Sequence, residues 1–187
     1  MSILDDWIER AETPKTLGDW PAWEAIAPRG RDAKHGPETR LASMRCEKYE
    51  FVVPLATASS LLIQGLRLRM LAPSQRKNED LVANLESLYQ GKFRCIARIE
   101  FWPESPHFNK HWKRLGIQAN VQGSHVHSTR LNSRLGEDAF LPFENLPCAE
   151  PIDEPTSFRE AVNKIETIYN ISGLKEIEAP PWNDQLF

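Results

Sequence analysis

Four of the five histidines in this chain fall between Phe93 and Asn132, in the stretch FRCIARIEFWPESPHFNKHWKRLGIQANVQGSHVHSTRLN. His125 and His127 are separated by one residue, so on an extended strand both imidazoles project from one face. That spacing suits two ligands to one divalent metal ion, with a third from a neighbouring strand or loop. Glu100, His107 and His111 are the candidates for the third, and His125, His127 and Glu100 are the expected metal set. An ion held this way activates water or polarises a phosphate. Without a metal, the histidines can act as general acid and base while Arg98 or Arg130 carries the phosphate, which would cleave RNA through its 2′-hydroxyl. The expected catalytic group is therefore His107, His125, His127, Arg98 and Glu100. The plain alternative is a polar outer strand face with locally bonded loop histidines and an Arg98–Glu100 surface ion pair. Trp102 and Trp112 are placed either to stack bases or to anchor the packing of the loop.

These residues need a frame. Phe93 to Trp102 alternates, with Phe93, Cys95, Ala97, Ile99 and Phe101 expected on one face and Arg98 and Glu100 on the other. Tyr49, Phe51 and Val53 mark an earlier strand that Pro54 ends, and Leu66, Leu68 and Met70 mark another with Arg67 and Arg69 facing out. Thr57 to Ile63 reads as a helical turn, and Ile117, Ala119 and Val121 as a strand before a bend at Gly123. Glu79 to Gln90 has leucines at helical spacing with Gly91 as a stop, although LVANL also suits a strand. Ser157 with Glu160 opens a C-terminal helix whose buried stripe is Phe158, Ala161, Val162, Ile165, Ile168 and Tyr169, ended by Gly173. Four prolines between Phe140 and Pro155 exclude regular structure there.

At the other end, Ser2 caps a first helix with a stripe of Ile3, Leu4, Trp7, Ile8 and Ala11, stopped by Pro14. A second short helix is expected over Trp20 to Ala27, followed by an exposed loop, Arg29 to Thr39. The expected class is α+β: a mostly antiparallel sheet with a C-terminal packing helix and an N-terminal helical arm. Residues 1–39 form the arm and loop, and residues 40–187 the α+β domain. Trp182 anchors the extended tail.

Composition narrows the function classes. The chain has 187 residues, 26% of them charged, with a net charge of −3, which argues against a general nucleic-acid coat but not against a local basic patch. No apolar run approaches the roughly 20 residues needed to cross a bilayer. The acidic start, MSILDDWIERAE, is unlike a secretory signal. Cys46, Cys95 and Cys148 form no CxxC pair, which favours reduced thiols and a cytoplasmic location. Cys148 is expected to be a small buried thiol rather than a nucleophile.

Two resemblances follow from the motifs. His-Val-His is similar to the His-hydrophobic-His motif of replication-initiator and relaxase nucleases, in which two histidines hold a metal and a helix tyrosine attacks DNA. Tyr169 stands in the matching order, but Asn170, Ile171 and Ser172 follow it in place of the usual lysine. RIEFWPESPHFNK, GSHVHSTRLN and the Ser157 to Ile171 helix together resemble a pattern in uncharacterised bacterial and prophage proteins, some encoded beside toxin–antitoxin or defence genes. That likeness spans Phe93 to Ile171 and would carry over Arg98, Glu100, His107, Asn109, His125 and His127. That setting points to a nucleic-acid-directed toxin, though the resemblance itself supplies no established activity; the first expectation for function is a phosphodiester-cleaving enzyme of a mobile-element or defence locus. The competing expectation is a non-catalytic adaptor that holds a protein partner through its N-terminal helices and Trp7, Trp20 and Trp23.

Overall fold

A computed structural model describes residues 2–26, 48–74 and 78–182. Its centre is a nine-stranded, mostly antiparallel sheet. Four long strands make the middle: β3 (Lys48–Ala56), β4 (Leu62–Pro73), β5 (Leu81–Tyr89) and β6 (Lys92–Phe101), each antiparallel to the next. Beyond β6 lies β9 (His125–His127) and then β10 (Glu150–Pro151). On the free side of β3 sit β1 (Lys15–Leu17) and β2 (Glu24–Ile26), and β11 (Ile171–Ser172) runs parallel to β1. A separate hairpin pairs β7 (His107–Phe108) with β8 (Asn120–Val121). Helix α1 covers Ile3–Glu12 and α4 covers Phe158–Tyr169, with two short helices between them, α2 (Trp112–Leu115) and α3 (Thr129–Ser133). The class is α+β.

One side of the sheet is the core. Phe51 and Val53 on β3, Leu66, Leu68 and Met70 on β4, Ala83 and Leu85 on β5, and Ile99 and Phe101 on β6 are all buried there against α4. Helix α4 contributes Phe158, Ala161, Val162, Ile165 and Tyr169. Ser157 caps it by accepting from the Glu160 amide, while the Glu160 carboxylate accepts from Thr156 one residue earlier. Ile168 lies at the edge of the stripe, 37% exposed. Asn170, in the left-handed region at φ 52°, ends the helix three residues before Gly173.

Several local expectations are corrected. The leucines of Glu79 to Gln90 belong to strand β5, not a helix. The segment is hydrogen-bonded to β4 on one side and β6 on the other, and this pairing overrides the helical spacing. Gln90 and Gly91, at φ 50° and 74°, form the two-residue turn of a β-hairpin, so Gly91 turns the chain rather than capping a helix. Trp20 to Trp23 is not helical, and Glu24–Ile26 is a strand; Ala27 and the Arg29 to Thr39 loop lie outside the described residues. Thr57 to Leu61 is a tight hairpin loop closed by Thr57 N–H to Leu61 C=O. Strand β3 continues through Pro54, which falls at a register irregularity where a missing N–H is tolerated. On β6 a bulge leaves Ile96 as an extra residue between Ala97, opposite Leu85, and Cys95, opposite Glu86. The bulge turns Cys95 and Phe93 onto the face of Arg98 and Glu100, away from Ile99 and Phe101.

Helix α1 does form, with a full capping box between Ser2 and Asp5. It buries Trp7 against Tyr89 and Phe140. Trp23 packs on Phe51, and the Trp182 indole donates to the Pro73 carbonyl. Lys15, buried just beyond α1, donates to the carbonyls of Ala11 and Thr13. Burial lowers its pKa to about 8.

Ile165 is fully buried, so Ile165→Ala should cost about 2–5 kcal/mol in urea unfolding, whereas Ile168→Ala should stay within about 1 kcal/mol. For Lys15 the unfolded chain keeps its proton to higher pH than the folded one. Its contribution to stability therefore becomes more favourable as pH rises from about 8 towards the ordinary lysine value of 10.5. The stability difference between wild type and Lys15→Met should move in the wild type's favour across that window, which paired thermal melts at stepped pH would read.

Candidate functional site

The face of the sheet away from α4 is polar. Cross-strand partners share a face, so Arg98 lies beside Asn84 and His127, and Glu100 beside Val82 and His125. Further along the same face, Arg67 pairs with Glu86 at 2.6 Å and Arg69 pairs with Glu50. A groove of about 490 Å³ opens here. Its floor includes Arg69, Asn84, Glu86, Arg98 and Glu100, and its far wall is Phe140, Pro142 and Asn145.

At the end of this groove three imidazoles meet. His125 and His127 come from β9, and His107 from the β7–β8 hairpin packed beside it. Their ring centroids are 4.6–5.3 Å apart, and one ring nitrogen from each lies within 4.8 Å of the others. Glu100 lies across the pair, one carboxylate oxygen 3.6 Å from His125 Nε2 and the other 3.6 Å from His127 Nε2. The Arg98 guanidinium approaches Glu100 at 2.7 Å and His127 Nε2 at 3.1 Å. His125 and His127 are 1% and 0% exposed.

Each ring is tied down by a backbone carbonyl. His127 Nδ1 donates to Leu146 at 2.7 Å, His125 Nδ1 to Gly123 at 2.8 Å, and His107 Nε2 to Pro147 at 3.2 Å. A carbonyl can only accept, so these nitrogens carry the protons in the neutral rings. The opposite nitrogens, His107 Nδ1 and the Nε2 atoms of His125 and His127, carry lone pairs. His125 Nε2 is buried with no hydrogen-bond partner.

The segment that supplies two of these carbonyls is itself held by two buried asparagines. Asn109 donates from Nδ2 to the Ala149 carbonyl at 3.0 Å and accepts the Ala149 amide at 2.7 Å. Asn132 does the same to Cys148, donating at 2.8 Å and accepting at 3.1 Å. Four consecutive carbonyls, Leu146 to Ala149, are thus taken in turn by His127, His107, Asn132 and Asn109. Asn109 positions the site and faces backbone, not the groove. Asn132 carried no signal in the sequence, because its partner is main chain and main chain has no letter.

The environment sets the charges. Burial alone would raise the Glu100 carboxyl, but His127, the Arg98 guanidinium and His125 outweigh it and hold the pKa at about 2. Burial lowers His127 to about 4, with Arg98 and His107 pushing the same way against Glu100. Burial likewise lowers His107, opposed by its bond to the Pro147 carbonyl. At neutral pH these two imidazoles are neutral and Glu100 is ionised.

The sequence-derived set His107, His125, His127, Arg98 and Glu100 is thus brought together, but the group whose ligand atoms are placed to hold a metal is His107, His125 and His127, with Glu100 of the expected metal set standing beside it. Other candidates lie elsewhere. His111 is 3.7 Å from Glu144, and Arg130 pairs with Glu12 of α1 at the surface. Tyr169 is buried on the core side, its hydroxyl donating to Ala83, so it cannot attack a substrate in this groove. Trp102 is anchored through its indole to Pro155, and Cys148 is fully buried. Asn84, which floors the groove, escapes the sequence reading because β5 reads as a helix; Arg69 is expected to face out, but nothing in its own strand points to a groove.

Asn109→Ala would strand the Ala149 N–H and C=O in a buried place, at about 1–3 kcal/mol for each group left unsatisfied. Chemical unfolding should show a loss of more than 2 kcal/mol, roughly, and the His107 ring signals should move in NMR spectra.

Comparison with protein-family models, with curated proteins and with solved structures found no match to this chain.

Proposed function

We propose that this protein is a phosphodiester-cleaving enzyme acting on nucleic acid, with the histidine cluster as its catalytic end and the arginine-lined groove as its substrate channel. The observation that carries this reading is the place where the two meet. Arg98 and Glu100 line the groove and also touch His127 and His125. A phosphate entering the groove reaches the Arg98 guanidinium, whose fork matches two phosphate oxygens. Charge that builds on those oxygens during attack is stabilised by this guanidinium at the groove floor. The cluster beside it activates the attacking oxygen, whose new bond to phosphorus forms as the bond to the leaving oxygen breaks. Asn84 and Arg69, further along the floor, extend the polar track away from the scissile phosphate.

The adaptor reading has less support. Trp7 and Trp23, two of the three tryptophans it relies on, pack into the core, and only Trp20, 62% exposed, stands at the surface. No helix among the described residues is long and apolar enough to cross a membrane.

Purified protein should cleave single-stranded RNA or DNA, or a chromogenic phosphodiester. His107→Ala and Arg98→Gln should each lower the rate by about 10²-fold or more, since each removes a group acting at the reacting phosphate. Circular dichroism should show both variants folded. No cleavage of any of the three substrates, or full activity in both variants, would end this reading.

A further inference from the structure

We propose that His107, His125 and His127 bind one divalent transition-metal ion of the zinc class, and that Arg98 is the internal cation this ion displaces. Among the described residues these three are the one group of histidine, cysteine or carboxylate side chains placed to hold a metal together. It rests on the same reading of the site as the phosphodiesterase, but metal uptake and cleavage can each fail alone.

The first support is the set of backbone tethers. Metal-ligating histidines typically donate their outer N–H to a carbonyl or carboxylate, which fixes the tautomer and aims the other nitrogen inward. All three rings here do so, to Gly123, Leu146 and Pro147. Three lone pairs facing one another with few protons between them repel, and a cation among them removes the repulsion. His125 Nε2 shows the shortfall directly, being buried without a partner.

The second support is spacing. Zinc–nitrogen bonds of about 2.0–2.1 Å in a tetrahedron place neighbouring ligand atoms about 3.3 Å apart. One ring nitrogen from each histidine already lies within 4.8 Å of the others, so small ring movements bring the three to that edge, with the Glu100 carboxylate 3.6 Å from His125 and from His127 beside them. The donor set of three imidazoles and a nearby carboxylate suits zinc, cobalt, nickel or copper. Magnesium and calcium prefer all-oxygen sites.

The third support is Arg98. Its guanidinium lies 3.1 Å from His127 Nε2 and 2.7 Å from Glu100, so a positive charge already occupies this side of the cluster. A dication bound to His127 Nε2 and this guanidinium exclude each other by charge and by space. Arg98 also lines the groove, so a rotation of its side chain carries the guanidinium from the cluster to the phosphate track. The ion and the arginine therefore compete for one place, and occupancy by the ion sends Arg98 towards substrate.

The test uses the full chain, stripped with a chelator and titrated with cobalt(II), followed by visible absorption and by zinc competition. The expected result is one ion per chain with a tetrahedral or five-coordinate cobalt spectrum, displaced by zinc and not by magnesium. His107→Ala, at the more exposed corner, should weaken binding at least tenfold, and Arg98→Met should tighten it. His125→Ala should abolish the rise in melting temperature that zinc gives the wild type, a readout that does not depend on catalysis. No uptake by the wild type, or equal affinity in wild type and His107→Ala, would overturn the site. Weaker binding in Arg98→Met would overturn the competition. Cleavage by a wild-type protein that takes up neither cobalt nor zinc would overturn the metal site and leave the phosphodiesterase standing. Metal uptake without any cleavage would do the reverse.

Discussion

The site depends on a strip of main chain. Leu146 to Ala149 has no regular partner strand, yet its four carbonyls are all engaged, by His127, His107, Asn132 and Asn109 in turn. A buried peptide group left without a partner costs free energy comparable to a lost hydrogen bond. The strip can be buried only because two asparagines satisfy both the donor and the acceptor of Cys148 and Ala149. Once buried, it presents Leu146 and Pro147 carbonyls to the two imidazoles and decides which nitrogen of each keeps its proton. Packing and tautomer are therefore set by the same four peptide units.

The sheet supplies the rest by dividing its two faces. Alternation puts Leu85, Ala83, Ile99 and Phe101 into the core and leaves Asn84, Arg98 and Glu100 on the polar side. The bulge at Ile96 adds to this by changing which residues share the polar side. Without the extra residue, Cys95 and Phe93 would point into the core and the groove would lose part of its wall. The arginines of the groove are balanced by Glu50, Glu86 and Glu100. The face is therefore mixed in charge and not uniformly basic, in keeping with the chain's small net negative charge.

How much of this could be read in the sequence depends on the range of the interaction concerned. The α+β class, the strand of Arg98 and Glu100, and the one-face placement of His125 and His127 follow from period-two alternation, which is local. The Ser2 and Ser157 caps follow from a three-residue spacing. The β5 segment reads as a helix because Leu81, Leu85 and Leu88 keep helical spacing; on the strand only Leu81 and Leu85 share the core face while Leu88 is exposed, and pairing to β4 and β6 decides for the strand. His107 was singled out by type, but its meeting with β9 depends on the β7–β8 hairpin, which joins residues across a loop with no periodic signal. The roles of Leu146 and Pro147 were out of reach, since their side chains take no part.

The margins of the sheet have a consequence for how these molecules behave together. Its outermost strands, β10, β11 and β2, have two, two and three residues, and Pro151 on β10 has no amide hydrogen to offer. A short rim with a proline gives a second chain little to zip onto, which is how natural sheets avoid fibre-like growth. The histidine strand β9 has only three residues and sits just inside that rim. The strand that carries two of the clustered histidines is thus placed near the sheet's border without exposing a long row of unpaired peptide groups. Among the described residues, this rim therefore disfavours edge-to-edge pairing of crowded copies even though the histidine cluster lies at the border of the sheet.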